Sequence, residues 1–312
     1  MTSNPQGGPE PVIFVRDLRK AYGDIKAVDG VSFEVRPGEI FGMVGPNGAG
    51  KTTTIECLEG LRTPDGGTMC VLGLDPRRDG YALREIVGVQ LQESLLQNRI
   101  RVWEALDLFA SFYRTPVPWE PLLRRLGLEE KRHAPFAKLS GGQKQRLFIA
   151  LALVNDPRLV FFDELSTGLD PQARRSMWDL VRSVRDDGKT VVLTTHFMEE
   201  AERLCDRVAI LDRGKIIALD TPDNLIRGLG AENRVVFTSD QELAADAFHT
   251  VPGIQRAERT GERWVLYGRD DRLVVEVVNF LSASRIKFRD LRTEQATLED
   301  VFLTLTGRVM RD

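Results

Sequence analysis

The run Gly45-Pro-Asn-Gly-Ala-Gly-Lys51-Thr52 holds a glycine, four variable positions and then Gly-Lys-Thr, a spacing that suits a cradle for phosphate. Glycines let backbone N–H groups turn inward around phosphate oxygens, because a Cβ would block both the approach and the positive φ values needed. Gly45, Pro46, Asn47, Gly48, Ala49 and Gly50, with Lys51, Thr52 and Thr53 behind them, are therefore candidate contacts to a nucleotide. Lys51 would set a point charge against β and γ phosphates, and the Thr52 hydroxyl would sit on Mg²⁺.

Further along stand Asp163-Glu164, His196 and Leu139-Ser-Gly-Gly-Gln143. Asp163 suits a second anchor for Mg²⁺, held mainly through water, since a small hard cation takes few carboxylates. Glu164 has no obvious basic neighbour in sequence, and a carboxylate beside the γ phosphate can orient or deprotonate an attacking water. His196 is a candidate contact to the γ phosphate that also steers Glu164. Ser140, Gly141, Gly142 and Gln143 lead into the helical pattern Gln145–Val154, so free N–H groups and the positive helix end face outward toward an anion.

These residues need elements that bring them together. Ile40–Val44 reads as a strand before the phosphate loop, and Thr52–Glu59 as a helix after it. Leu159–Phe162 and Thr190–Leu193 are short apolar runs that alternate with helical segments such as Gln172–Arg185, which predicts a parallel sheet buried on both faces. In such a sheet ligands gather beyond the carboxyl ends of the strands, where Val44, Phe162 and Thr195 open into the three motifs. One cleft can then hold all of them.

Residues 1–9 read as a loose polar tail, and residues 10–230 as the α/β domain with a β-rich start. Between about 97 and 155 the apolar period becomes helical, with Val102, Leu106, Phe109 and Tyr113 at three- and four-residue steps, which predicts a helical insert. Beyond a break after Asp220-Thr-Pro-Asp223, residues 233–312 read strand, helix, two strands, helix, strand and a last helix. That order predicts a small α+β accessory domain with a ferredoxin-like topology. The helix of its first crossover is expected over Gln241–Phe248 and its last strand over Ile286–Leu291.

Composition narrows the function classes. The chain has 312 residues and a formal net charge of −3, without the basic stripe of a dedicated nucleic-acid binder. Three scattered cysteines and three scattered histidines fit neither a disulfide frame nor a metal cluster. The first residues do not read as a signal peptide, and no apolar run reaches the length of a membrane span, so the expectation is a chain that stays in the cytosol.

Taken jointly, the motifs resemble the ATP-binding cassette (ABC) family over about residues 12–225. The resemblance implies ATP with Mg²⁺, and a homodimer in which each phosphate loop closes on Ser140-Gly-Gly142 of the other copy. It also implies that Tyr22 stacks on adenine, and that Gln92, with Gln90 as the weaker alternative, senses Mg²⁺ and the γ phosphate. Asp170, in Ser166-Thr-Gly-Leu-Asp170, matches a loop that crosses between two cassettes. Leu165 stands where the family commonly has proline, a departure that removes no ligand.

The stretch Ala296–Gly307 resembles the ending of ATPase subunits from bacterial drug-resistance exporters of the daunorubicin/doxorubicin type. The reading is an ATPase subunit of an ABC exporter that drives an integral membrane permease on a separate chain, at the cytoplasmic face of the cell membrane. A soluble cassette ATPase acting on ribosomes or DNA is the alternative, and it would bring tandem cassettes, a heptad insert or basic arms. A non-hydrolysing regulatory subunit would lack Lys51, Glu164 or His196, and all three are present.

Overall fold

Every residue of Ile40–Val44 is buried, and so is every residue of Leu159–Asp163 and Thr190–Thr195, as expected for strands covered on both faces. The computed structural model describes residues 10–90, 95–228, 233–241, 244–268 and 272–307. The chain divides between Pro222 and Asp223 into two units.

The first unit opens with β1 (Ile13–Tyr22), β2 (Ile25–Val35), β3 (Ile40–Val44), α1 (Lys51–Leu58), β4 (Gly66–Val71), α2 (Gly80–Ile86) and β5 (Val87–Gln90). Then come α3 (Val102–Ala110), α4 (Trp119–Arg125), α5 (Gly141–Leu153), β6 (Leu159–Asp163) and α6 (Pro171–Asp186). It continues through β7 (Thr190–Thr195), α7 (Met198–Leu204), β8 (Arg207–Asp212) and β9 (Lys215–Asp220). Two sheets result: an antiparallel one in the order β2-β1-β4, and a larger one in the order β5-β6-β7-β3-β8-β9.

Neighbours from β5 to β8 are parallel, but β9 returns antiparallel to β8 as an edge strand. The sheet expected to be parallel is thus mixed at one edge, because Arg213 and Gly214, both at positive φ, make too short a turn for a parallel crossover. Phe33 of β2 stacks on Phe41 of β3 with ring centroids 5.3 Å apart, joining the two sheets through one core.

The helical insert is tied to the sheet by polar contacts as well as packing. Asn155, just past α5, donates its side-chain amide to the carbonyls of Val87, at the start of β5 (2.9 Å), and of Glu85, in α2 (3.2 Å).

The second unit includes α8 (Pro222–Gly228), then β10 (Asn233–Thr238), β11 (Ile254–Thr260), β12 (Arg263–Gly268), α9 (Leu273–Ala283), β13 (Arg289–Glu294) and α10 (Leu298–Thr306). Its sheet runs β11-β12-β10-β13 with antiparallel neighbours, over a core of Val235, Phe237, Phe248, Trp264, Leu266 and Val277. Of the helix expected over Gln241–Phe248, Glu242 and Leu243 lie outside the described residues, and the described part enters a 3₁₀ segment, Ala245–Thr250, anchored in the core by Phe248. The last strand begins three residues later than expected, since Asp290 adopts φ 53° and the pairing with β10 shifts register there.

Candidate active site

Backbone shape comes first in the loop after β3. Gly45 (φ 154°) and Gly50 (φ 102°) leave no room for a side chain: a Cβ would lie 2.3 Å from the Leu211 carbonyl oxygen and 2.2 Å from that of Ala27, respectively. Asn47 and Gly48 form the exposed tip between half-buried Pro46 and buried Ala49. Ala49 closes the turn by donating its N–H to the Pro46 carbonyl at 3.1 Å. Gly50 precedes α1, so the free N–H groups of that helix, including those of Lys51, Thr52 and Thr53, belong to the loop's concave side.

Lys51 is buried, with 4% of its surface exposed, and its ammonium donates to the carbonyls of Gly45 (2.7 Å) and Pro46 (3.2 Å). Glu164 Oε1 lies 3.9 Å from it. Burial pulls the Lys51 ammonium below its ordinary value, while the negative charges of Glu164 and Asp163 act in the opposite direction.

At the end of β6, Asp163 accepts from the hydroxyls of Thr52, at 3.4 Å, and Thr194. Burial raises its carboxyl above the ordinary range, and the two hydroxyls partly offset that. Glu164 follows at φ 50°, a left-handed conformation that few non-glycine residues adopt. Its N–H is held by the carbonyl (3.2 Å) and hydroxyl (3.1 Å) of Thr194, so the neighbouring strand enforces the turn. The result aims the Glu164 side chain back at Lys51 and at His196, whose Nδ1 lies 3.4 Å from Glu164 Oε1. Thr167 donates to the other carboxylate oxygen at 3.3 Å.

Thr194 and Glu200 were not among the residues singled out from sequence, yet both hold this site in place. Glu200 of α7 is buried and accepts from the Trp178 indole of α6 at 3.0 Å. Burial nevertheless pushes its carboxyl up. The Arg174 guanidinium lies 4.0 Å from the Phe197 ring, which packs 4.1 Å from the His196 ring. These contacts link α6 to α7 and to the His196 turn.

Ser140 and Asp170 occupy a different surface. Ser140 caps α5 with a reciprocal box: its Oγ accepts from the Gln143 N–H at 3.3 Å, and its own N–H donates to the Gln143 side chain at 3.0 Å. Asp170 caps α6 by accepting from the N–H groups of Gln172 and Ala173 at 3.0 and 2.9 Å. Ser140, Gly141, Gly142 and Gln143 share one hollow of about 370 Å³ with Gly168 and Asp170, and no residue of the phosphate loop lines it. Tyr22 is 42% exposed at the end of β1, its ring flanked by the Lys20 ammonium at 5.6 Å and the Arg62 guanidinium at 5.5 Å. Gln92 lies outside the described residues; Gln90 is buried at the end of β5.

The geometry agrees with what the chain is similar to. Residues 28–167 match the ABC transporter family, and residues 241–307 match the C-terminal domain of the nodulation factor export protein NodI. The chain is 42% identical to the Nod factor export ATP-binding protein I of Ralstonia nicotianae, over 99% of this chain and 98% of that protein. It is 43% identical to the protein of the same name from Paraburkholderia xenovorans, over 97% and 100%. Among solved structures, an ATP-binding subunit of an ABC transporter aligns with 31% identity and a TM-score of 0.64, over 70% of this chain and 93% of that one. A dimeric, post-hydrolysis ATP-binding cassette bound to ADP and Pi aligns with 27% identity and a TM-score of 0.61, over 67% and 98%. With full-length identity above 40% to two such proteins, the chain belongs to the ATPase subunits of ABC transporters, in the family of Nod factor export ATP-binding protein I.

Proposed function

We propose that this exporter ATPase works as a homodimer, in which the Gly45–Thr52 loop of one copy and Ser140–Gln143 of the other close on the same ATP. One observation carries the reading: Lys51, Glu164 and His196 meet at the ends of three adjacent strands, while the Ser140 hollow faces elsewhere and shares no residue with them. The dimeric cassette among the structural neighbours supports it.

In this reading Lys51 and the N–H groups of the loop bind the phosphates, Tyr22 stacks on adenine, and Gln92 reports γ-phosphate occupancy to the helical insert. Glu164 orients the attacking water or takes its proton, and His196 holds Glu164 and contacts the γ phosphate. Asp170 positions the loop that crosses to the partner. Thr52 Oγ1 and Asp163 Oδ1, 3.4 Å apart, suit Mg²⁺, a cation that retains waters and needs few protein oxygens. When bound, Mg²⁺ supplies neutralisation of charge on the transferred phosphate.

No helix among the described residues is long and apolar enough to cross a membrane. We therefore assign the membrane work to a permease on a separate chain and place this subunit at the cytoplasmic face, with no nucleic-acid partner. The face we assign to that permease is the segment from Glu93 to Trp103, of which Glu93 and Ser94 lie outside the described residues, with the recess lined by Leu61, Tyr81, Phe109 and Phe112. The relatives are named for export of a Nod factor, which supports export as the direction here. The C-terminal match over residues 241–307 is to NodI, so we read the likeness of Ala296–Gly307 to daunorubicin/doxorubicin-type subunits as shared membership of the exporter ATPase class and no narrower kinship. We read residues 233–312 as a ferredoxin-like accessory domain that supports pairing, and 10–230 as the nucleotide-binding domain.

The test is Glu164→Gln, which keeps the shape of the side chain and removes its basicity. Turnover should fall by roughly 10²–10⁴ while ATP affinity stays within about threefold of wild type. Wild-type hydrolysis by the purified variant would assign the base elsewhere.

A further inference from the structure

Glu59 follows the last residue of α1, is only 2% exposed, and has no hydrogen-bond partner for either carboxylate oxygen among the described residues. A buried acid without donors is costly, and such groups are rare unless something outside the chain completes them. Burial together with the charges of Asp163 and Glu56 pushes its carboxyl up to about 8. Glu59 lines a recess of about 400 Å³ between β5, α2 and α3. The mouth of that recess is apolar and exposed, with Tyr81 at 88%, Phe112 at 63% and Leu61 at 49%.

Charge completes the description. The recess holds two carboxylates, Glu59 and Glu85, and one guanidinium, Arg84, which lies 5.8 Å from the Tyr81 ring. Glu85 already accepts the Arg114 N–H at 3.3 Å. What is missing is one cationic donor, delivered on an apolar carrier.

We infer that the Glu59 carboxylate is the polar anchor of the permease contact, receiving a single Arg or Lys from an apolar permease helix that fills this recess. The inference rests on the assignment of this face to the permease and adds the chemistry of recognition. It also gives a route for coupling. The helix α1 has eight residues, begins at Lys51 in the phosphate loop and ends against Glu59, so a pull on the anchor reaches the nucleotide without passing through a flexible segment.

The experiment uses the full-length chain and the permease that co-purifies with it, measuring affinity between the two in detergent. Glu59→Leu should leave the basal ATPase of the isolated protein within about twofold and weaken permease affinity at least about tenfold. Replacing each cytoplasmic Arg and Lys of the permease by Met, in double-mutant cycles with Glu59→Leu, should find one residue whose loss costs nothing further. Phe112→Glu, which puts a charge at the mouth, tests the face itself. If Phe112→Glu breaks binding but Glu59→Leu does not, the anchor is wrong and the face stands. If neither matters, both are wrong. Loss in both variants with no coupled permease cation would also overturn the anchor.

Discussion

The phosphate-loop cleft and the Ser140 hollow share one chain and are built oppositely. In the cleft, Lys51 and Asp163 are buried, the Glu164 side chain is only 6% exposed, and even the backbone is held in unusual conformations at Gly45, Gly50 and Glu164. In the hollow, Ser140 and Asp170 are ordinary helix caps facing outward, with nothing about them under strain. Under the proposed pairing the difference teaches a division of labour: one surface would be preorganised for ATP, and the other would act only against a nucleotide held by a second copy.

The largest effect on that comparison should come from Ser140→Arg, which fills the hollow without touching the cleft. Turnover should drop about a hundredfold, the size expected when anion-stabilising donors are lost. ATP affinity of the same protein, read by an isotherm, should not change beyond about threefold. Parallel loss of both would join the two surfaces into one site.

Glu200→Ala acts on the other side of the comparison by loosening the cleft's frame. Leaving the Trp178 indole N–H buried without its acceptor costs about 1–3 kcal/mol in a denaturant titration. Turnover should fall about tenfold, and Glu200→Gln, which keeps an acceptor, should recover most of both. A stability loss with unchanged turnover would make Glu200 a packing residue only.

A pH series tests the recess behind α1 instead, where the cleft's catalytic groups take no part. The Glu59 carboxyl, raised to about 8 in the folded protein, binds its proton more tightly there than in the unfolded chain, where its value is 4.5. Its favourable contribution is complete below pH 4.5 and is lost as pH rises through 8. Glu59→Gln does not titrate, so its unfolding free energy in a denaturant titration should gain on wild type between pH 5 and pH 9, by on the order of a few kcal/mol at the alkaline end. Parallel curves would show that the carboxyl finds a partner within the chain.

The smallest effect belongs to Tyr22→Ala. Its half-exposed ring contributes stacking alone, so ATP affinity should weaken by only about 0.5–1.5 kcal/mol.

What sequence made legible follows the same division. The phosphate loop, Asp163-Glu164 and Ser140–Gln143 announce themselves because their chemistry needs particular residues at fixed local spacing. Residues that act through distant partners do not. Glu199 and Glu200 are adjacent and alike, yet Glu199 pairs with Arg203 in solvent while Glu200 is buried against Trp178. The available signal was the i, i+4 spacing from Glu200 to Leu204, which puts it on the apolar face of α7. Glu59, beside Gly60, reads as a solvated helix end, and only the packing of the insert over β5 buries it. In the second unit, apolar alternation located β10 and β12, but β13 is a polar edge strand, Arg289–Glu294, placed by pairing rather than by burial.

The composite site is tested most directly by mixing two inactive proteins. Ser140→Arg protein retains its phosphate loop, and Lys51→Ala protein retains its hollow, so a mixed dimer holds one complete interface out of two. If the pairs form at random, half the dimers are mixed, and ATPase activity should recover to about a quarter of wild type at equal total concentration. Activity equal to the sum of the two parents, at concentrations where wild type pairs, would contradict the account.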